Sequence, residues 1–217
     1  MAGELVLLEK ELKYELSKSD YLKLIRVLKP KSKKRLQLTN YYFDDSSLTL
    51  RKKKYALRIR ISHNGTKETV LFTLKYPGKQ PKNAPRALKV RVEHEVLINR
   101  DVAKRILNKR GRISDVDLAP MRILRRHFTK SELSKVRPLG LIQTRRTVVP
   151  LPGKLELEID RCKVFDKKFY EVEVETSSPR RADREIKILL ESHGIPYLPI
   201  TRSKFARFLG EWKRRNP

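Results

Sequence analysis

The sequence predicts an α+β chain that is mainly β: an eight-stranded antiparallel closed β-barrel with a charged interior and flanking helices. Three observations carry that expectation. Short segments that alternate charged and apolar residues recur along the whole chain, helix signals fall between or after them, and the charged faces contain almost no Ser, Thr or Gln.

The strand segments are residues 7–13, 38–44, 57–61, 70–76, 90–96, 144–149, 155–160 and 170–175. Eight is a natural count for closure. On an ordinary half-buried strand the polar face looks at water. Here those faces read Glu9/Glu11/Lys13, Arg58/Arg60, Lys89/Arg91/Glu93/Glu95, Glu156/Glu158/Asp160 and Glu171/Glu173/Glu175. Like charges repeated on one strand repel, and acidic strands set opposite basic ones relieve that repulsion. The charged faces are therefore expected to turn inward and the apolar faces outward, beneath the helices. Desolvating so many ions costs several kcal/mol for each one left uncompensated, so the interior is expected to be a water-filled tunnel that binds ions.

Helices are expected over residues 19–29, opening on Ser19-Asp20 and stopping at Pro30, and over 101–107, ending near Gly111. Residues 115–135 should hold one or two more, with Leu118, Met121, Ile123 and Leu124 buried. Ser178-Pro179 is expected to cap a helix running to Ser192, stopped by His193-Gly194, and 201–214 reads as the last helix. One domain over 1–217 is expected, with a helical insertion near 100–136 and C-terminal helices near 179–214. The basic runs 29–35 and 51–54 read as solvated turns. Residues 77–85 form a loop without the Gly-x-x-x-x-Gly-Lys spacing of a nucleotide-binding P-loop.

The 217 residues carry 52 Lys and Arg against 25 Asp and Glu, a net charge of +27, which attracts polyanions. A single cysteine, Cys162, excludes an internal disulfide framework, and four scattered histidines offer no zinc spacing. No apolar run approaches the roughly 18 residues of a membrane helix, and Glu4 stands where a signal peptide would be basic. A soluble, unprocessed, cytoplasmic protein without membrane insertion is expected, as a monomer or dimer.

The chemistry concentrates in Glu9-x-Glu11-x-Lys13. Strand periodicity puts both carboxylates and the ammonium on one face, suited to a metal ion and a phosphate together. The acidic strands offer oxygen ligands to a hard cation such as Mg²⁺ or Mn²⁺. Arg58 and Arg60, about 6.5 Å apart along their strand, can each clamp a different phosphoryl group. His94, facing away from Glu93 and Glu95, reads as a packed or surface residue. Trp212, Phe205 and Phe208 read as docking the last helix, and Cys162 has no assigned role.

Glu9-x-Glu11-x-Lys13, Tyr42-Phe43-Asp44, Leu57-Arg58-Ile59-Arg60, Leu74-Lys75, Arg91-x-Glu93, Arg146, Glu158-Ile159-Asp160, Glu171-Val172-Glu173 and Ser203-Lys204-Phe205 follow in that order. The ordered set resembles the CYTH superfamily, the triphosphate tunnel metalloenzymes, over nearly the whole chain. The resemblance implies an eight-stranded tunnel and hydrolysis of a triphosphate with Mg²⁺ or Mn²⁺. It implies metal binding by Glu9, Glu11, Glu158, Asp160, Glu171 and Glu173, with a further tunnel carboxylate at Glu93 or Glu95 and Glu175 at the mouth. The triphosphate would be gripped by Lys13, Arg58, Arg60, Lys75, Arg91, Arg146 and Lys204, with Arg145 on the opposite strand face.

Glu9, Glu11, Lys13 and Arg58 are the expected catalytic residues. One metal would bridge the phosphates with Glu11 and Glu173, and a second, near Glu9 or Glu171, would position water. Lys13 and Arg58 would contact the transferred phosphoryl group. Inorganic tripolyphosphate leads as substrate, ahead of thiamine triphosphate or a nucleotide. An RNA 5′-triphosphatase is the enzymatic alternative, and a non-catalytic module binding polyphosphate or RNA is the other. The cyclase branch of the family carries a His-Phe pair before its first motif, and residues 2–8 lack it.

Overall fold

The computed structural model describes residues 4–108, 113–200 and 202–216. Eight long strands, β1 (Glu4–Leu16), β2 (Lys34–Asp44), β3 (Ala56–Asn64), β4 (Lys67–Pro77), β5 (Leu88–Leu97), β6 (Arg137–Leu151), β7 (Leu155–Val164) and β8 (Lys167–Glu175), form one antiparallel sheet. Its order is β5-β4-β3-β2-β6-β7-β8-β1, and β1 pairs back onto β5, closing the barrel. The closing register sets Glu9 opposite Arg91, while on its other side β1 sets Lys13 opposite Glu173. A ninth strand absent from the sequence expectation, β9 (Leu198–Pro199), adds two residues beside Tyr14 and Glu15.

Alternation on each strand separates the two faces. Glu11, Lys13, Arg58, Glu93, Arg146, Asp160, Glu171 and Glu173 are buried on the inner face, while Leu12, Tyr14, Leu57, Ile59, Leu157, Ile159, Val172 and Val174 are buried on the outer. The outer face is covered by helices. α1 (Lys18–Leu28) and α6 (Pro179–Ser192) pack on β1, β7 and β8. α3 (Arg100–Leu107), α4 (Ala119–His127) and α5 (Lys130–Lys135) pack on β3, β4 and β5. Tyr14 Oη donates to Asp183 of α6 at 2.5 Å and accepts from Tyr197 at 2.9 Å, which satisfies a phenol that would otherwise be buried without a partner.

The final helix, α7 (Lys204–Arg215), inserts an apolar stripe into one end of the barrel. Its Phe205, Phe208 and Leu209 meet Tyr42, Ile142, Cys162 and Val164, which share the inner strand parity with the charged residues. The Tyr42 and Phe205 rings stack 4.5 Å apart. Gly140 permits this approach, because a Cβ there would lie 2.9 Å from the Phe208 ring. The aromatic residues do dock the helix, and they dock it inside the barrel.

Several local expectations shift. α1 starts earlier than expected, since Ser17 rather than Ser19 is the N-cap and accepts from the Asp20 amide at 3.1 Å. Pro30 lies in a 3₁₀ turn over Lys29–Lys31. Pro179 opens α6, but the Ser178 side chain makes no capping bond. Lys34 and Arg35 belong to β2 rather than to a turn. In the 115–135 stretch two helices form, with Met121 and Leu124 fully buried and Leu118 and Ile123 partly so. Gly111 and Thr201, the expected ends of two helices, lie outside the described residues.

Candidate functional site

A cavity of about 580 Å³ occupies the barrel interior. β1 supplies Glu9, Glu11 and Lys13, β3 supplies Arg58 and Arg60, β4 Lys75, and β5 Arg91, Glu93 and Glu95. The wall is completed by Arg146 of β6, Glu173 and Glu175 at the end of β8, and Ser203, Lys204 and Phe205 at the start of α7. Both candidates for the additional carboxylate, Glu93 and Glu95, face the cavity. Arg145 is exposed on the opposite face, and His94 stacks on Tyr76 outside the barrel with Nε2 3.1 Å from the Tyr76 hydroxyl.

Many of the opposite charges pair in a connected network. Lys13 Nζ lies 2.9 Å from Glu11 Oε2 and 2.6 Å from Glu173 Oε1. Lys75 bonds both oxygens of Glu9 at 2.9 Å and is paired with Glu93. The Arg146 guanidinium forks onto Asp160 at 2.8 and 2.7 Å, reaches Glu173 at 2.7 Å and pairs with Glu158. Arg60 Nε donates to Asn40 at 2.9 Å, and Thr73 Oγ1 donates to Glu95 at 3.0 Å. Arg58 is looser, at 3.8 Å from Glu95, and its Nε is buried without a hydrogen-bond partner among the described residues.

Three of the expected metal ligands, Glu158, Asp160 and Glu171, do not face the open cavity. They stand behind Arg146 and Lys204, with Asp160 0% and Glu171 1% exposed. Lys204 Nζ sits among Asp160 (2.8 Å), Glu171 (2.5 Å) and Glu173 (2.7 Å). Ligand atoms of Asp160, Glu171 and Cys162 also lie within 4.8 Å of one another, close enough to share one cation. Cys162 thus belongs to the inner wall, where burial pushes its thiol well up.

Burial and pairing pull the carboxyls apart. Burial raises Glu9, but Lys75 and Lys13 outweigh it and hold the group at about 2. Against the same burial Lys13, Lys204 and Arg146 keep Glu173 well below the ordinary carboxylate value. For Glu171 burial wins over Lys204 and the group stands at about 7, and Glu158 is likewise raised to about 7 by burial against Arg146. Burial, with Arg58 nearby, lowers Lys75 to about 8. Such divergent values among neighbours mark a site that holds charge against the preference of its surroundings.

The run 51–54 departs from its reading as a solvated turn. Arg51 and Lys54 line the cavity, although Lys54 is also exposed. Asp44 organises their approach by accepting from the amides of Leu50 and Arg51 at 2.9 Å, within the short helix α2 (Thr49–Lys52). The Asp44-Asp45 pair before a Thr was the only local signal.

A family model described as the CYTH domain matches residues 7–209, and the chain belongs to the CYTH family. HpAC1 from Hippeastrum is 25% identical over 94% of this chain and 96% of its own, with a TM-score of 0.81. It is described as an adenylyl cyclase candidate with a dominant triphosphatase activity. An adenylate cyclase candidate from Bacillus halodurans is also 25% identical, over 94% of this chain and 98% of its own, with a TM-score of 0.72. The PH1819 protein of Pyrococcus horikoshii, 19% identical over 94% and 99%, shares the fold at a TM-score of 0.62. No curated protein matches the sequence.

Proposed function

We propose that this protein is a divalent-cation-dependent triphosphatase that hydrolyses the terminal phosphoanhydride of a triphosphate, with inorganic tripolyphosphate the leading substrate and organic triphosphates next. The observation that carries it is the cavity itself, where Lys13, Arg58, Arg60, Lys75, Arg146 and Lys204 converge from several elements beside a set of carboxylates. Support comes also from the triphosphatase activity described for HpAC1.

The donor set fits a hard cation. It consists of carboxylate oxygens, and Glu171 Oε2 is buried with no hydrogen-bond partner among the described residues. Glu9, Glu11 and Glu173, which line the cavity, would hold the metal ions, with Glu171, Asp160 and Glu158 behind them. Bound there, Mg²⁺ or Mn²⁺ supplies Lewis-acid charge to phosphate oxygens.

Each cation now paired to a carboxylate has a better partner in the loaded site. Lys13, Arg146 and Lys204, now held by carboxylates, would grip phosphate oxygens when a cation is bound by those carboxylates. For these three cations loading would be an exchange of partners. The guanidinium groups of Arg58 and Arg60 present planar forks to phosphoryl oxygens, and neither is held closely by a carboxylate, Arg58 lying 3.8 Å from Glu95 and Arg60 bonding Asn40. Hydrolysis joins a water oxygen to the terminal phosphorus and breaks the bond from that phosphorus to the bridging oxygen, which keeps the electron pair, while the water's proton passes to solvent or to a phosphate product. Orthophosphate leaves, and the shorter polyphosphate stays against the basic wall.

The test is phosphate release from tripolyphosphate, thiamine triphosphate, ATP and 5′-triphosphate RNA, each with Mg²⁺, with Mn²⁺ and with excess chelator. Release from at least one, abolished by chelator, is expected. Release from none with either metal defeats the proposal.

A further inference from the structure

The net charge of +27 is not confined to the tunnel, where Lys13, Arg146 and Lys204 are paired with carboxylates. Part of the excess gathers in a second cleft of about 480 Å³ on the outside of the barrel, between the 81–85 loop, β1 and the start of α6. Lys10, Lys82, Arg180, Arg181 and Arg184 surround it, no carboxylate lines it, and none of the five is ion-paired among the described residues. Its floor is apolar, made by Pro81, Ala84, Pro85, Leu88 and Pro179.

The cleft adjoins the tunnel. Lys10 lines both, and the chain passes from Thr176 and Ser177 on the tunnel wall directly to Ser178 in the cleft. The Thr176 amide donates to the Lys10 carbonyl at 2.9 Å, fixing that junction. A chain whose triphosphate end lies in the tunnel would run on into this groove.

We infer that the cleft binds single-stranded RNA, taking the nucleotides that follow a 5′-triphosphate held in the tunnel. The five cations suit phosphodiesters, and the apolar floor, which carries no aromatic ring, suits riboses and base faces by van der Waals contact. Inorganic polyphosphate has no apolar part to place on that floor, which favours the polynucleotide. The link to the tunnel rests on the triphosphatase reading, whereas RNA binding in the cleft does not.

The experiment measures fluorescence anisotropy of a short 3′-labelled RNA with a 5′-hydroxyl end, which carries no triphosphate, in the presence of saturating tripolyphosphate and chelator, on the full chain and on Arg180→Glu/Arg184→Glu. The expected result is binding at least about ten-fold weaker in the variant, and a log–log salt dependence shallower by about 0.7 for each phosphate no longer neutralised. Tripolyphosphate hydrolysis should be unchanged. Arg180→Gln/Arg184→Gln gives the same ordering with a smaller disturbance of the fold. Equal RNA binding by wild type and variants overturns the inference, as does a loss confined to a labelled inorganic polyphosphate probe. If no triphosphate is hydrolysed by wild type but the variants still lose RNA, the triphosphatase reading fails and the cleft assignment stands.

Discussion

Lys13 Nζ lies 2.6 Å from Glu173 Oε1, a cross-strand pair on the inner face where the first strand of the barrel meets the eighth. The same ammonium is 2.9 Å from Glu11, so removing it leaves two buried carboxylates facing each other. Breaking a buried pair from one side typically costs about 3–5 kcal/mol. Lys13→Met is expected to lower the urea midpoint of the metal-free protein by a comparable free energy. Added Mg²⁺ or Mn²⁺ should restore more stability to the variant than to wild type, because a cation that binds only the native state stabilises it by mass action. An unchanged midpoint would show that the pair contributes nothing.

Arg51 and Lys54 reach the cavity on a turn held by Asp44. Replacing both with Ala should raise KM for tripolyphosphate several-fold and leave kcat nearly unchanged, as expected for interactions made equally in ground and transition states. Asp44→Ala should raise KM similarly and also cost about 1–3 kcal/mol of stability, since it strands buried amide donors. Steady-state kinetics beside urea melts separate the two. A fall in kcat alone for the Arg51/Lys54 variant would place them at the reacting phosphoryl group instead.

Phe208 closes one end of the barrel against Gly140. Phe208→Ala is expected to cost about 3–5 kcal/mol, in the range of large core truncations. Gly140→Ala should destabilise the wild type, because its Cβ meets the ring and its φ of +156° suits glycine. In the Phe208→Ala background only the backbone part of that cost should remain, so the double mutant is less destabilised than the sum of the singles. Strict additivity would remove the steric explanation.

Glu171 and Glu158 stand at about 7, raised mainly by burial from an ordinary 4.5. A carboxyl raised in the folded state stabilises it fully below the unfolded pKa and loses that contribution as pH rises through the folded value. These two groups therefore lower the melting temperature of metal-free protein as pH goes from about 4.5 to 7, and Glu171→Gln should flatten that decline. Glu9, held at about 2, works in the opposite direction, and its contribution is lost as pH falls from 4.5 toward 2. Thermal melts across a pH series in chelator provide the comparison, and an undiminished slope in Glu171→Gln contradicts the assignment.

The barrel was legible because charge marks one face of nearly every strand. Glu9, Glu11 and Lys13 alternate with Leu8, Lys10 and Leu12, and the inversion follows from having no other place for so many ions. The same alternation put Glu93 and Glu95 on one face but offered no means of choosing between them, and both face the cavity. What alternation does not encode is register across distant strands. That Arg146 would fork onto Asp160, or that Lys204 would sit over Glu171, depends on how β6, β7, β8 and α7 meet in space. Arg51 and Lys54 were hidden because a short basic run looks alike on a solvated turn and at a cavity rim. The apolar stripe of α7 announced a docking helix, but a barrel end and an outer wall are equally apolar in sequence.

The central claim, that the charged interior performs metal-dependent triphosphate hydrolysis, is tested most directly by phosphate release from tripolyphosphate with saturating Mg²⁺ or Mn²⁺ in Glu173→Gln. Glu173 contacts Lys13, Arg146 and Lys204, and the substitution keeps the shape while removing the charge. The account predicts a loss of about a hundred-fold or more in kcat, of the order seen when a preorganised electrostatic group is removed. Turnover within a few-fold of wild type would contradict it.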